Sequence, residues 1–272
     1  MSDPSSRLAS ALRDVDRGLV LVVTGAGVSL ASGIATFRGS DPGAIWKRDL
    51  TELATLDYFR RDPAGSWRWY LERFATVAGA RPNPAHQAIA ALERWQLGRG
   101  GDFLLVTQNI DTLHEQAGSE RLVKVHGSLD RLRCSRDGCR LGAPSGSLAR
   151  DEVDFGPFSA APAVETLPRC PHCGAFLRPH VLWFDELYTG HVDYQWDRVQ
   201  EAVDRMHLAL CVGTSFAVGF TELVLQAAFW NRVPVVAIDP GAPTIAASRG
   251  LEHVRARAEE LLPQVCAELG AL

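Results

Sequence analysis

Polar side chains that follow two apolar runs are the strongest candidates for chemistry in this chain. Asn109 and Asp111 come soon after the run 103–106, and His126 follows the run 122–125. A histidine can act as a general base near neutral pH. Asn109 and Asp111 are two residues apart, so an extended backbone would place them on one face. The simpler alternatives are a core or capping histidine and an Asx turn.

A glycine-rich run, TGAGVS at residues 24–29, follows a third apolar run at 18–23. Glycines let a backbone approach a pyrophosphate, and a helix N-terminus favours its charge. The dehydrogenase fingerprint needs a third glycine where this chain has Leu30, and no acidic strand end follows about 20 residues later. Ordinary hydride transfer is therefore disfavoured. The loop alone is equally consistent with a tight turn that binds nothing.

Two close cysteine pairs are typical of metal binding rather than of a disulfide framework. They are Cys134 with Cys139 and Cys170 with Cys173. Four thiolates suit a tetrahedral zinc ion, and they close its coordination sphere, so the zinc is expected to be structural. The alternatives are unliganded core thiols, or His172 as a ligand.

Short apolar runs separated by helix-like stretches must position these groups. Near-continuous apolar runs are typical of strands that are covered on both faces, and their alternation with helices predicts an α/β fold with a doubly wound, Rossmann-like parallel sheet. Ligands bind such sheets at the carboxyl ends of the strands, where the polar clusters lie. The predicted strands are 18–23, 103–106, 122–125, 208–212 and 234–238, and the clearest helices are 84–95 and 221–231.

Two stretches interrupt this alternation and predict a smaller second module. Residues 41–100 are predicted to form a helical module, and residues 128–180 carry the cysteines and form a zinc-binding module. The Rossmann-like domain then comprises residues 1–40, 101–127 and 181–272.

The motifs, taken in order, closely resemble those of the sirtuin family of NAD-dependent protein lysine deacylases. The resemblance runs from about residue 18 to residue 262. It implies NAD as co-substrate, a structural zinc ion and acyl-lysine proteins as substrates. It also implies nicotinamide, O-acyl-ADP-ribose and free lysine as products. The matching segments are GAGVS at 25–29, SGI at 32–34, TFRG at 36–39, TQNIDTLH at 107–114, VHGS at 125–128 and GTS at 213–215, with both cysteine pairs.

The same resemblance implies roles for individual residues. His126 would activate a ribose hydroxyl as general base, Asn109 would contact the ribose or position a water, and Asp111 would contribute to the nicotinamide site. Asp239 stands where the family usually has an asparagine. The implied NAD-binding residues are Gly25, Ala26, Gly27, Ser29, Phe37, Arg38, Gln108, Asn109, Ile110, Asp111, Gly213, Thr214, Ser215, Asp239 and Ala258.

The acyl group is suggested by Tyr70 and Arg73, which share a helix face at i and i+3. The pair looks like that of the sirtuin branch that removes succinyl and malonyl groups, where an arginine can bind the terminal carboxylate. The alternative is a surface arginine and a half-buried tyrosine on an amphipathic helix. The resemblance also places the peptide substrate along Val181, Trp183 and Phe184.

Composition limits the partners. The chain has 272 residues with 28 Lys and Arg against 32 Asp and Glu, a net charge of −4, which disfavours general nucleic-acid binding. The chain has no stretch of 18 apolar residues, which a membrane span would need, and its N-terminus lacks the basic-then-apolar order of a secretory signal. We therefore expect a cytoplasmic protein. We also expect a monomer.

Two other functions stay open on the sequence alone. One is an NAD hydrolase or ADP-ribosyltransferase on the same scaffold, which would release nicotinamide without an acyl-peptide. The other is a non-catalytic NAD-sensing module. The joint presence of His126, Asn109 and Asp111 argues against the second, because a sensor does not need a base.

Overall fold

The computed structural model describes residues 3–35, 50–216, 219–241 and 251–271. None of the helices in these ranges is both long enough and apolar enough to cross a bilayer. The strands are β1 Leu19–Thr24, β2 Asp102–Thr107, β3 Leu122–Lys124, β4 Gly127–Cys134, β5 Leu148–Ala149, β6 Leu177–Val181, β7 Met206–Val212, β8 Val235–Ile238 and β9 Leu251–Val254. The helices are α1 Pro4–Asp14, α2 Leu50–Leu53, α3 Leu56–Arg61, α4 Pro63–Ala78, α5 Pro84–Gly98, α6 Leu113–Gln116, α7 Gly156–Ala160, α8 Trp196–Arg205, α9 Gly219–Asn231 and α10 Ala258–Leu269.

A parallel sheet forms the centre of the larger domain. Within the described residues it has six strands in the order β3-β2-β1-β7-β8-β9, so the order reverses between β1 and β7. The doubly wound parallel sheet predicted from the apolar runs is therefore confirmed. The outer strand β9 was not predicted, because Glu252 and His253 interrupt its apolar pattern.

Helices cover both faces of this sheet, which explains the continuous apolar runs of its strands. On one face, α1, α5 and α10 pack against alternate β1 residues such as Val20 and Val22. On the other face, α8 and α9 pack against Leu21 and Val23. The two layers leave the carboxyl ends of the strands as the open edge.

Helix α5 belongs to the larger domain, which differs from the division that assigned residues 41–100 to the helical module. Ala85, Ala88, Ile89 and Leu92 recur at helical spacing and lie in the core beside the parallel sheet. Composition showed a helix here but not which of two cores its apolar face would join. The small module therefore ends before α5.

The two insertions share one core, as predicted. Helices α3 and α4 pack against an antiparallel sheet of order β5-β4-β6. Trp67 of α4 is fully buried there, and its indole Nε1 donates to the Leu177 carbonyl of β6 at 2.8 Å. This contact joins the helical insertion to the cysteine-bearing one.

Candidate active site

A cavity of about 370 Å³ opens at the carboxyl edge of the parallel sheet, where the strand order reverses. This is the position at which doubly wound folds bind ligands. The loops after β1, β2, β7 and β8 form one end of the cavity, and α4 with the segment after β6 forms the other. The residues predicted from the sequence that line it are Gly25, Ala26, Gly27, Tyr70, Arg73, Gln108, Asn109, Ile110, His126, Val181, Trp183, Phe184, Gly213, Thr214, Ser215 and Asp239.

The glycine loops after β1 and β7 touch each other through their backbones. Gly27 N donates to the Gly213 carbonyl at 2.9 Å, and a Cβ on Gly27 would lie 2.8 Å from Gly213 Cα. Gly213 has φ +59°, and a Cβ there would lie 2.4 Å from Val28 N. The contact between the two loops therefore requires glycine at these positions. This is a second reason for the glycines, beside the close approach of a phosphate that the motif suggested. The segment that follows the first glycine is a 3-10 helix, Ala26–Ser32.

Asn109, Ser29 and Asp111 form a buried hydrogen-bond chain behind the cavity wall. Asn109 Nδ2 donates to the Gly25 carbonyl at 3.1 Å and to Ser29 Oγ at 3.0 Å. Ser29 Oγ donates in turn to Asp111 Oδ2 at 3.0 Å, while Asp111 Oδ1 accepts from Leu113 N at 3.0 Å. Asp111 thus makes an Asx turn and also holds the serine. Asn109 lines the cavity, whereas Ser29 and Asp111 lie one layer behind it.

His86 closes this chain from α5 and was not predicted as a site residue. Its Nε2 lies 3.5 Å from Ser29 Oγ, and its Nδ1 accepts from the backbone N–H of Asn83. Burial lowers the pKa of His86 to about 4, against the opposing charge of Asp111. The histidine is therefore neutral at pH 7. It caps α5 together with Asn83, and no motif in the sequence indicated its contact with Ser29.

His126 is held with one ring nitrogen directed toward the cavity. Its Nδ1 lies 2.9 Å from the Gln108 carbonyl, so Nδ1 carries the hydrogen and Nε2 keeps its lone pair. Gly127 follows with φ +78°, and a Cβ there would lie 2.1 Å from the His180 carbonyl, so the backbone turn requires glycine. Burial lowers the pKa of His126 to about 4, although the Gln108 carbonyl opposes this. The imidazole is therefore neutral and available as a base at pH 7.

Tyr188 is a second residue that the sequence did not indicate. It lines the cavity from the 3-10 turn Tyr188–Gly190, and its phenol oxygen lies 3.3 Å from His126 Nε2. No motif marks this segment, and the contact depends on how the turn folds back.

Tyr70 and Arg73 lie one turn apart on α4 and both face the cavity. The phenol oxygen of Tyr70 accepts from Trp183 Nε1 at 2.7 Å. The Arg73 guanidinium lies 3.4 Å from the ring centroid of Trp69, and its Nη1 donates to the Trp69 carbonyl at 3.0 Å. Burial lowers the pKa of Arg73 to about 10, which leaves it charged at neutral pH. Among the described residues no carboxylate forms a salt bridge with it, and its Nε has no hydrogen-bond partner.

Four predicted NAD-binding positions need separate comment. Phe37 and Arg38 lie outside the described residues. Asp239 lines the cavity and its Oδ1 accepts from Gly241 N at 2.7 Å. Ala258 is the first residue of α10, is buried in the core and is not part of the cavity wall. The NAD contacts assigned to these four residues stay predictions.

The four paired cysteines meet in the small module. Their sulfur atoms all lie within 4.8 Å of one another, with Cys134 Sγ 3.4 Å from Cys173 Sγ and Cys139 Sγ 3.8 Å from Cys170 Sγ. Tetrahedral zinc with bonds of about 2.3 Å needs sulfur atoms roughly 3.8 Å apart, so the thiols fit that ion. None of the four lines the cavity. Zinc held there would be structural.

A second cluster, His180, His191 and Asp193, does not suit a cation. Both ring nitrogens of His191 already form hydrogen bonds to backbone groups, at 3.1 Å each. Burial lowers the pKa of His180 to about 2, and the positive charges of His191, Arg133 and Arg131 act in the same direction. The local field therefore opposes a metal ion, and we interpret the cluster as a structural network.

Comparison with known proteins places this architecture in context. The model of the Sir2 family matches residues 25–219. An NAD-dependent protein deacylase from Thermus thermophilus is 41% identical over 222 residues, which cover 81% of this chain and 79% of that protein. The mitochondrial NAD-dependent protein deacylase sirtuin-5 from Danio rerio is 36% identical over 224 residues, 79% of this chain and 72% of that protein. The crystal structure of a Sir2 homolog–NAD complex has a TM-score of 0.78 at 33% identity, covering 98% of this chain and 96% of that one.

Proposed function

This chain belongs to the Sir2 family, and from that premise we propose that it is an NAD-dependent protein lysine deacylase with a preference for acidic acyl groups. The names of its relatives support the deacylase activity. The preference rests on one observation: Arg73 is charged, has no salt bridge to any described carboxylate, and shares a cavity with His126. A charged group in such a place favours an anionic ligand.

The end of the cavity at the parallel sheet is suited to NAD. Gly25, Gly27 and Gly213 line the cavity there, and glycine-rich loops of this kind let a backbone approach a pyrophosphate. Gln108 Nε2 donates to Thr214 Oγ1 at 3.2 Å and holds that hydroxyl at the edge of the cavity. NAD bound here supplies the ribose to which the acyl group is transferred, with nicotinamide as leaving group.

His126 is the proposed general base. Its Nε2 faces the cavity and would take the proton of a ribose hydroxyl, while the Gln108 carbonyl keeps Nδ1–H fixed and stabilises the imidazolium that forms. Asn109 uses Nδ2 on Gly25 and Ser29, so its Oδ1 is the atom that remains for a ribose hydroxyl or a water. Ser29 and Asp111 then act by positioning Asn109.

Tyr70 and Arg73 are the proposed acyl-binding pair. Because the Tyr70 oxygen accepts from Trp183, its own hydrogen is left to donate into the cavity. A terminal carboxylate between this hydroxyl and the guanidinium would accept from both, which an acetyl group cannot do. Trp69 stacks on Arg73 and restricts where the guanidinium can point.

The protein substrate would enter along the segment after β6. Trp183 is buried between α4 and β6, whereas Phe184 is 55% exposed at the rim of the cavity. An extended peptide can pair with such a segment through its backbone. We propose a protein substrate and not a nucleic acid, in line with the net charge of −4, and a monomeric enzyme.

A panel of acyl-peptides tests the proposal. The protein is incubated with NAD and matched acetyl-, succinyl- and longer-acyl peptides, and all products are identified by mass spectrometry. We expect O-acyl-ADP-ribose and free lysine, with a higher kcat/KM for the succinyl peptide. Release of nicotinamide at the same rate without any peptide would instead identify an NAD hydrolase. Equal turnover of acetyl and succinyl peptides would contradict the acyl preference alone.

A further inference from the structure

Tyr188 contacts the nitrogen of His126 that the reaction needs. Its phenol oxygen lies 3.3 Å from Nε2, and the two rings are nearly parallel, with centroids 5.9 Å apart and an interplanar angle of 20°. The contact lies on the cavity wall, because both residues line it. The same nitrogen is the one proposed to accept the ribose proton.

The direction of this hydrogen bond follows from the neighbours. His126 gives its Nδ1–H to the Gln108 carbonyl, so Nε2 can only accept. The phenol must therefore donate. Burial raises the pKa of Tyr188 to about 12, although a backbone hydrogen bond from Phe220 opposes this, so the hydroxyl keeps its proton at neutral pH.

An aromatic column holds the Tyr188 ring in place. Tyr188 stacks on Trp196 with centroids 4.3 Å apart and an interplanar angle of 12°. Trp196 in turn meets Phe220 edge-on at 6.1 Å. Because these two residues start α8 and lie in the first turn of α9, the column ties the phenol to two helices of the larger domain. Tyr188 is thus fixed independently of His126.

We propose that Tyr188 is a positioning residue for His126, whose phenol occupies the Nε2 lone pair in the free enzyme until a ribose hydroxyl replaces it. The inference rests on the proposed function, because it assigns His126 as the base. One lone pair accepts one strong hydrogen bond, so the phenol and the ribose hydroxyl exclude each other there. The device orients the base before NAD arrives.

A pH dependence follows from the same contact. A hydrogen bond donated to Nε2 stabilises the neutral imidazole, and this hydrogen bond is lost when Nε2 is protonated. The phenol therefore lowers the pKa of His126. Burial lowers the pKa of His126 and the Gln108 carbonyl raises it, with no charged side chain of the described ranges among the causes. Tyr188 is the titratable side chain that lies within hydrogen-bond distance of Nε2. Removing the hydroxyl therefore raises the pKa of His126 in the free enzyme. It has no such effect once a ribose hydroxyl occupies Nε2.

The test compares wild type with Tyr188→Phe, which keeps the ring and its stacking. The acid limb of kcat/KM for NAD reports the enzyme before NAD binds, and the acid limb of kcat reports the complex. We expect the first limb to move to higher pH by about 0.4 to 1 pH unit and the second to stay in place. Tyr58→Phe is the control, because it removes a phenol of α3 that lies outside the cavity.

A second measurement does not need turnover. NMR titration of the His126 imidazole, assigned by its loss in His126→Ala, should show the same rise of pKa in Tyr188→Phe. Coincident titrations of wild type and variant would overturn the inference. So would equal displacement of both kinetic limbs, which would mean a general structural effect. A wild type that is inactive on every peptide would refute the proposed function instead, while the NMR result would still decide the role of Tyr188.

Discussion

The two ends of the cavity are built from different materials. At the sheet end, the wall is formed by loops that follow parallel strands, and the glycines of the loops after β1 and β7 touch each other. At the other end, which we call the acyl end because Tyr70 and Arg73 are proposed to bind the acyl group, bulky side chains of α4 and of the segment after β6 form the wall. Trp69 holds Arg73 and Trp183 holds Tyr70. The loop contact at the sheet end tolerates no added methyl group. In a wall of side chains, single substitutions can change the polarity or charge of the cavity without moving the backbone.

This difference suggests a division of labour between the ends. In the proposed function the sheet end would bind NAD, which is the same for every acyl group, and the acyl end would select among substrates. His126 lies where they meet. Damage to the sheet end should affect all acyl groups alike, and damage to the acyl end should discriminate among them.

The largest effect is expected at the meeting point. His126→Ala should lower deacylation of every acyl-peptide by about 10²- to 10⁴-fold, because it removes the proposed base. Thermal stability and zinc content should stay near those of wild type. Near-normal turnover in a folded variant would remove His126 from this role. The measurement is kcat/KM with acetyl and succinyl peptides, with circular dichroism and metal analysis alongside.

One added methyl group should disrupt the contact between the loops at the sheet end. Gly213→Ala places a Cβ against Val28 N and forces alanine into a left-handed backbone, so the two loops must separate. Since a shift of about 1 Å in reactant placement can cost about 10²-fold, we expect that loss in kcat/KM for NAD with both peptides. Gly79→Ala is the matched control, because a Cβ there meets nothing within 4 Å. A loss confined to one acyl group would contradict the comparison.

The acyl end is broken selectively by Arg73→Met, which keeps length and removes charge. A charge-assisted hydrogen bond contributes about 1.5–3 kcal/mol, so succinyl activity should fall by about 10- to 150-fold. Acetyl activity should change little, because an acetyl group offers the guanidinium nothing to bind. If both fall by the same factor, the helix is only structural, and the protein is better described as a general deacetylase.

Tyr70→Phe sharpens the comparison with a smaller change. It removes one neutral donor, so succinyl activity should fall by about 2- to 10-fold and acetyl activity should hold. The change should appear mainly in KM if the carboxylate is held equally in the ground and transition states. An equal fall in kcat for both peptides would show that the Trp183 contact, and not the carboxylate, depends on this phenol.

The sequence predicted the sheet well because its strands are continuous apolar runs, and it failed at β9, where Glu252 and His253 hide the strand. Residues in ordered motifs, such as His126 and Asn109, could be proposed for the site because short-range spacing marks them, and both line the cavity. Tyr188 and Trp69 were not found. Their roles come from contacts made by a folded turn and a stacked guanidinium, and neither leaves a local pattern. The placement of α5 was missed for a similar reason, since an apolar helix face does not say which core it covers.

Strand β4 connects two parts of the molecule that have no chemistry in common. It begins at Gly127, beside the proposed base, and ends at Cys134, one of the four clustered thiols. These two residues pair with the two ends of β6, which lie about 13 Å apart at the usual rise per residue. Along most of that length it is laddered to β6, which leads into the peptide segment. If a bound zinc ion fixes the Cys134 end of β4, the positional freedom of the Gly127 end is reduced as well. If a chelator lowered the activity of this enzyme, the cause would be a less firmly held strand β4 and hence a less firmly positioned His126. Such a loss would not show that the metal ion takes part in catalysis.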